Sequence, residues 1–182
     1  MERLQATWKD AYIHSKTRIN DQRQATDWSP PPRNFIKCNV DAALSGNDAH
    51  YGAVLRDHDR RFVAARSGKL NGMKDPYVAE TLAAKEALSW LKTRPERNII
   101  FESDCLNFCK AFNSCISDFS YVGLIVKQCV SIAKDIGNVS VFHVKRSANC
   151  VAHELARATD STADSRVWTD IPPACISNLL SH

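Results

Sequence analysis

Phe35-Ile36-Lys37-Cys38-Asn39-Val40-Asp41-Ala42-Ala43 decides how this chain is read. At the period of two of an extended strand, Ile36, Cys38, Val40 and Ala42 share one face, and Lys37, Asn39 and Asp41 share the other. The second face has the composition of a solvated polar surface, with Asp41 an exposed acid, unless the rest of the chain brings partners to it. The small residues beside Asp41 leave room for a bulky group to approach.

Upstream, Trp28-Ser29-Pro30-Pro31-Pro32 fixes an extended lead-in, because consecutive prolines exclude helix, and the globular domain starts there. Before it, Leu4, Trp8, Ala11 and Tyr12 form a helical stripe that predicts a short amphipathic helix over residues 2–16, with residues 20–27 as a linker. Downstream, Ser45-Gly46-Asn47-Asp48 supplies turn chemistry. Residues 50–57 then alternate Tyr51, Ala53 and Leu55 against Gly52, Val54 and Arg56, Asp57-His58-Asp59-Arg60 reads as a hairpin turn, and residues 61–67 form a third strand. The domain therefore opens as a three-strand antiparallel meander.

Asp75-Pro76 is a helix start, with Asp as cap and Pro as first helical residue, and the helix runs to about Lys92. Beyond Pro95, residues 98–103 carry the buried-strand core Ile99-Ile100-Phe101. Helices are expected over 104–115 and, after a break at 117–120, through Tyr121, Ile125, Cys129, Ile132 and Ile136 to Gly137. A strand over 139–144 and a helix over 149–158 follow. The order β-β-β-α-β-α-α-β-α predicts a mixed sheet with helices packed over it, and the chain has no internal repeat.

The 182 residues suit one domain with an extension. Twenty-four Lys and Arg against twenty Asp and Glu permit contact with a polyanion without demanding it. No apolar run approaches a membrane span and residues 1–20 lack the apolar centre of a secretory signal, so the expectation is an intracellular protein, nuclear or cytoplasmic, that is not secreted and has no membrane partner. The seven cysteines include no C-x-x-C pair; Cys105 and Cys109 share a helical stripe with Phe108 and Phe112 and read as core residues in a reducing compartment. His143, Cys150 and His153 lack a fourth zinc ligand at recognisable spacing.

Three acids invite a chemical reading. Glu80 shares a helical face with Ala84, Ala87, Leu88 and Leu91, where an ionised carboxylate is costly unless a lysine at the stripe's edge or a metal pairs with it. Glu86, beside Leu82 and Ser89, can be read as a solvated flank. Asp104 stands where the fourth strand gives way to a helix, which suits either an acid favoured by the helix dipole or a site acid at the carboxyl end of a strand.

Taken in order, Asn39-Val40-Asp41, the run Gly52-Ala53-Val54-Leu55-Arg56-Asp57, Ala79-Glu80 followed by Ala83 and Ala87-Leu88, and Glu102-Ser103-Asp104 resemble the ribonuclease H family. The nearest likeness is to the ribonuclease H-like domains associated with plant retroelement-type reverse transcriptases. His143-Val144-Lys145-Arg146-Ser147-Ala148-Asn149 and Ala152-His153-Glu154-Leu155-Ala156 are similar to the same subgroup, as are Trp28 with its prolines and Trp168 with Pro172-Pro173. The resemblance covers about residues 28–173. It implies an α/β domain with a mixed five-stranded sheet, three antiparallel strands then parallel additions, flanked by helices. Residues 1–27 become a helical extension and linker, 28–165 the ribonuclease H-like domain, and 166–182 a C-terminal tail.

The same resemblance implies a metal-dependent endonuclease that hydrolyses the RNA strand of an RNA–DNA hybrid, acting as a monomer. Asp41, Glu80 and Asp104 would hold two Mg²⁺ ions, or Mn²⁺, because these hard cations take oxygen ligands. Arg56, Lys69, Lys74, Lys145, Arg146 and Asn149 are the candidate nucleic-acid contacts. His153 stands where many members carry a fourth carboxylate; imidazole is a softer ligand that suits Mn²⁺ or Zn²⁺ better than Mg²⁺, or a proton carrier. The short Lys145–Ala148 connection also lacks the histidine-bearing loop of bacterial-type enzymes. Reduced activity, a bias toward Mn²⁺, or a catalytically weak nucleic-acid-binding domain derived from a retroelement are the alternatives. A protein-interaction domain docking through the Trp8/Tyr12 stripe is a further one.

Overall fold

The structure, a computed structural model, describes residues 27–114, 118–159 and 165–180. The helix expected over residues 2–16 lies outside these. Strands β1 (Ile36–Ser45), β2 (Asp48–Arg56) and β3 (Phe62–Leu70) form the expected antiparallel meander. Then come α1 (Pro76–Lys92), β4 (Asn98–Ser103), α2 (Leu106–Asn113), α3 (Tyr121–Ile136) and β5 (Asn138–His143). A single 3₁₀ turn (Arg146–Asn149), α4 (Cys150–Arg157), β6 (Ser165–Trp168) and α5 (Ala174–Ser177) complete the order.

Local chemistry sets these boundaries. The Asp75 carboxylate accepts the Val78 N–H at 2.9 Å and Pro76 opens α1, so the helix begins where its first orphan donors are satisfied. Ser120 does the same for α3 through the Gly123 N–H at 3.1 Å, and Gly137, at φ 133°, ends that helix where a side chain would be strained. In the hairpin turn, Asp57 Oδ1 accepts the N–H groups of both Asp59 and Arg61 at 2.9 Å.

The sheet is ordered β5-β4-β1-β2-β3-β6, which puts β1 near its middle, antiparallel to β2 and parallel to β4. Cys38 and Val40 on one face of β1 meet the alanine-rich side of α1 (Ala83, Ala84, Ala87) together with Leu88, Leu91, Phe108 and Ile125. Each fully buried leucine there contributes about 1.5–3 kcal/mol relative to exposure. The opposite face carries a smaller cluster of Val54, Ala65, Val151, Leu155 and Ile176 under α4 and α5.

Two expectations are corrected. The sheet has six strands, not five: within the stretch read as a tail, β6 pairs antiparallel with β3, Ala65 facing Trp168, while Ile176 is fully buried. Four residues, Ser-Arg-Val-Trp, are too short for alternation to stand out from a polar surrounding. The second face of β1 is not a solvated surface either, since Lys37, Asn39 and Asp41 are all fully buried. A strand hydrogen-bonded on both sides and covered above and below shows an alternating pattern with no exposed face.

Candidate active site

The parallel register of β1 and β4 places Val40 opposite Ser103, so Asp41 and Asp104 leave that ladder as neighbours. From the other side, α1 brings in Glu80, whose carboxylate accepts the Ala42 N–H. Asp41, Glu80 and Asp104 each offer an oxygen, and the three oxygens lie within 4.8 Å of one another. The first turn of α2 contains no acid, because Cys105 is its cap and Asp104 precedes it; the reading of Asp104 as a dipole-stabilised helix residue therefore does not hold. Among the described residues no lysine pairs with Glu80.

Three carboxylates this close cannot all ionise without counter-charge. Burial, then the charges of Asp41 and Asp104, push the Glu80 carboxyl up to about 9. Burial, then Asp104, raise Asp41 to about 6, a hydrogen bond from His153 working against the rise. Asp41 Oδ1 and Glu80 Oε2 are both buried and, among the described residues, accept from no donor outside the acid cluster, so only a proton shared between the two carboxyls pairs them. Buried acceptors left unpaired are costly, and a cation is the partner that satisfies several at once. The donor set, hard carboxylate oxygens with one imidazole at the edge, fits a divalent cation of the Mg²⁺ or Mn²⁺ kind.

His153 reaches the site because α4 lies very close to β2. A Cβ on Gly52 would sit 2.6 Å from the Ala152 carbonyl oxygen and 2.7 Å from the Ala156 nitrogen, so only glycine allows this approach. His153 Nδ1 is then 2.6 Å from Asp41 Oδ2. The Arg146 guanidinium lies against the imidazole, Nη2 at 3.0 Å from Nδ1 and 3.1 Å from Nε2, with Nη1 at 3.9 Å from Asp104 Oδ2. Asn149 is buried and donates to the Val40 carbonyl at 2.9 Å and to Asp104 Oδ1 at 3.4 Å.

The remaining basic candidates divide. Lys74 and Lys145 are exposed, as is Arg146. Lys69 pairs with Asp48 at 2.8 Å. Arg56 is 2% exposed, stacks 3.5 Å from the Trp28 ring centroid and donates to Asn39 Oδ1 at 3.2 Å, so it faces the interior and not a bound strand. Sequence reasoning missed the buried network around it: Lys37 Nζ to Glu102 Oε1 at 3.0 Å, Asn39 Nδ2 to Glu102 Oε2 at 3.1 Å, and Trp28 Nε1 to Asn39 Oδ1 at 2.9 Å. The available signal was Glu102 on the strand expected to be buried, which needed a cation from a neighbouring strand. A second group of potential ligands, Asp57, His58 and Asp59, is the hairpin turn, and its Asp57 oxygen is already engaged by turn N–H groups.

This sheet order, with three acids at the carboxyl end of the β1–β4 pair, defines a ribonuclease H-like domain. Residues 39–159 match the reverse transcriptase-like family, well over half of the chain, and the protein belongs to that family. No curated protein matches the chain in sequence. Solved structures similar to it include ribonuclease H1 from Halobacterium salinarum, at 21% identity and TM-score 0.62 over 68% of this chain and 95% of that one. The N-terminal RNase H domain of a Mycobacterium tuberculosis protein is similar at 20% identity and TM-score 0.60, covering 68% and 91%. A ribonuclease H1 from a compost metagenome, solved in complex with an RNA/DNA hybrid, is similar at 18% and 0.59, covering 67% and 94%.

Proposed function

We propose that the protein is a divalent-metal-dependent endonuclease that hydrolyses the RNA strand of an RNA–DNA hybrid. The observation that carries this reading is the meeting of Asp41, Glu80 and Asp104, with two buried oxygens that, among the described residues, accept from no donor outside the cluster. These three acids would hold two Mg²⁺ or Mn²⁺ ions, with His153 at the edge. Bound there, such ions supply Lewis-acid stabilisation of charge on the phosphodiester and acidify water near neutral pH.

The chain's own residues account for the rest. His153 and the Ala42 N–H fix the carboxylates of Asp41 and Glu80, so little reorganisation is needed when the site is filled. Arg146, with its side chain 65% exposed, presents guanidinium donors to a phosphate beside Asp104. Lys74 and Lys145 are exposed cations that would follow the backbone of a duplex, read by shape and by the RNA 2′-hydroxyls. The hybrid bound to the compost ribonuclease H1 supports this choice of substrate. We read the chain as a monomeric, retroelement-derived domain working inside the cell, a setting that suits buried thiols such as Cys38 and Cys129.

The test is cleavage of a labelled hybrid in Mg²⁺ and in Mn²⁺, beside duplex DNA and duplex RNA. Cutting of the hybrid's RNA strand, lost in Asp41→Asn and Asp104→Asn, is expected; cutting indifferent to both substitutions contradicts the proposal. His153, in place of a carboxylate, favours a second reading, a weakly catalytic nucleic-acid-binding domain. Salt-dependent binding of the hybrid without cleavage under either ion would select it.

A further inference from the structure

We propose that the lead-in segment is a working part of the acidic site: Trp28, acting through Asn39 and Asn149, fixes the orientation of Asp104. This rests on the reading of Asp104 as an ion ligand and adds positioning residues to it. The physical basis is the direction of the hydrogen bonds. An amide side chain has one accepting and one donating end, and nothing in its own shape selects which way it faces.

Here the selection is made from outside. The Trp28 indole and the Arg56 guanidinium can only donate, and both point at the same atom, Asn39 Oδ1, at 2.9 Å and 3.2 Å. The Asn39 amide nitrogen must then face the other way, where it meets Glu102 Oε2 at 3.1 Å and Asn149 Oδ1 at 3.2 Å. With its oxygen so engaged, Asn149 turns its own nitrogen to the Val40 carbonyl at 2.9 Å and to Asp104 Oδ1 at 3.4 Å. The lead-in's donor-only ring, the shorter of the two contacts, therefore acts with Arg56 to set the polarity of two amides in series, and the series ends by presenting N–H to a site carboxylate. One oxygen of Asp104 is held, and the other remains for an ion or for Arg146.

The segment is fastened to this task from both sides. Lys37, fully buried, donates to the Ser29 carbonyl at 2.6 Å while pairing with Glu102, and the Trp28 ring covers Arg56. Asn39 and Asn149 are themselves 0% and 1% exposed, so water does not stand in for a lost partner.

The test is a double-mutant cycle read by Mn²⁺ affinity, using calorimetry on the full chain, with thermal melts run alongside. Trp28→Phe keeps an aromatic ring over Arg56 and removes only the donor. We expect Asn149→Ala to weaken Mn²⁺ binding about tenfold, the scale of a lost outer hydrogen bond to a ligand, and Trp28→Phe about fivefold. In the Asn149→Ala background, Trp28→Phe should add nothing further, because the chain of orientation is already cut. Wild-type affinity in Trp28→Phe, or losses that multiply in the double variant, would overturn the proposal; two independent packing defects behave in the second way. If Trp28→Phe does not fold, Asn39→Ser takes its place in the cycle with the same two outcomes. Mn²⁺ binding that is unchanged by Asp41→Asn and Asp104→Asn would instead contradict the ion site itself, a distinct result.

Discussion

His153 Nδ1 lies 2.6 Å from Asp41 Oδ2, and that bond leaves Asp41 Oδ1 buried with no donor among the described residues outside the acid cluster. A neutral imidazole can donate to the carboxylate through Nδ1, so in this geometry His153 orients one oxygen of Asp41 while the other faces the remaining acids. In the proposed ion site, its position beside Asp41, where the family resemblance implies a fourth carboxylate, makes it the residue expected to set ion preference.

Replacing it should therefore shift that preference. In His153→Asp a further hard anionic ligand enters the site, and hybrid cleavage in Mg²⁺ is expected to rise about tenfold relative to cleavage in Mn²⁺. An unchanged ratio of the two activities would mean that His153 contributes nothing to how the ions are held.

The raised carboxyls make a statement about pH. Glu80 moves from 4.5 to about 9 and Asp41 from 3.8 to about 6, burial being the first cause of each. Between those limits the folded chain binds more protons than the unfolded one, so stability falls as pH rises. In EDTA, the melting temperature contributed by these groups should be full near pH 4 and decline toward pH 9. Glu80→Gln should flatten the decline and melt above wild type at pH 8. Mn²⁺ should restore wild type at that pH and leave Glu80→Gln nearly unchanged. A wild-type melting temperature that climbs with pH under EDTA would contradict the cluster.

Much of this frame was legible in the sequence, and the reasons differ by element. The Asp75-Pro76 start of α1 and the Gly137 end of α3 were readable because each signal is local: a cap and its partner lie within three residues, and a left-handed φ calls for glycine. Alternation sorted β1 into its two faces correctly. It misjudged how deep the polar face lies, reading a solvated surface where Lys37 and Asn39 are buried by Trp28, Glu102 and Asn149, which are brought in by the fold. For the same reason Arg56 read as a surface cation: its partner Trp28 stands on the lead-in that covers the strand. The three acids were separable from ordinary surface acids only as an ordered set, each having a plausible structural role alone.

Gly52 is expected to tolerate no side chain. In Gly52→Ala the new methyl meets helix backbone, which has no rotamer to yield, so α4 must move. Destabilisation of about 1–3 kcal/mol in urea is expected, together with loss of the His153–Asp41 contact. A variant as stable as wild type would show that α4 does not press on β2 as closely as described.

Lys37 and Glu102 form a pair with almost no exposure, 0% and 2% for their side chains. Removing only the lysine leaves a buried carboxylate, and Lys37→Met should cost about 3–5 kcal/mol. Adding Glu102→Gln, which retains an acceptor for Asn39, should return part of that loss. A double variant less stable than Lys37→Met would argue that the pair is not the source of the cost.

The central claim, that three acids separated in sequence form one cation site, is tested most directly by anomalous diffraction from crystals soaked in Mn²⁺. The account predicts density among Asp41 Oδ1, the Glu80 carboxylate and Asp104, at ligand distances of about 2.1 Å. Anomalous density confined to the Asp57–Asp59 turn, or none at the three acids under saturating Mn²⁺, would contradict it.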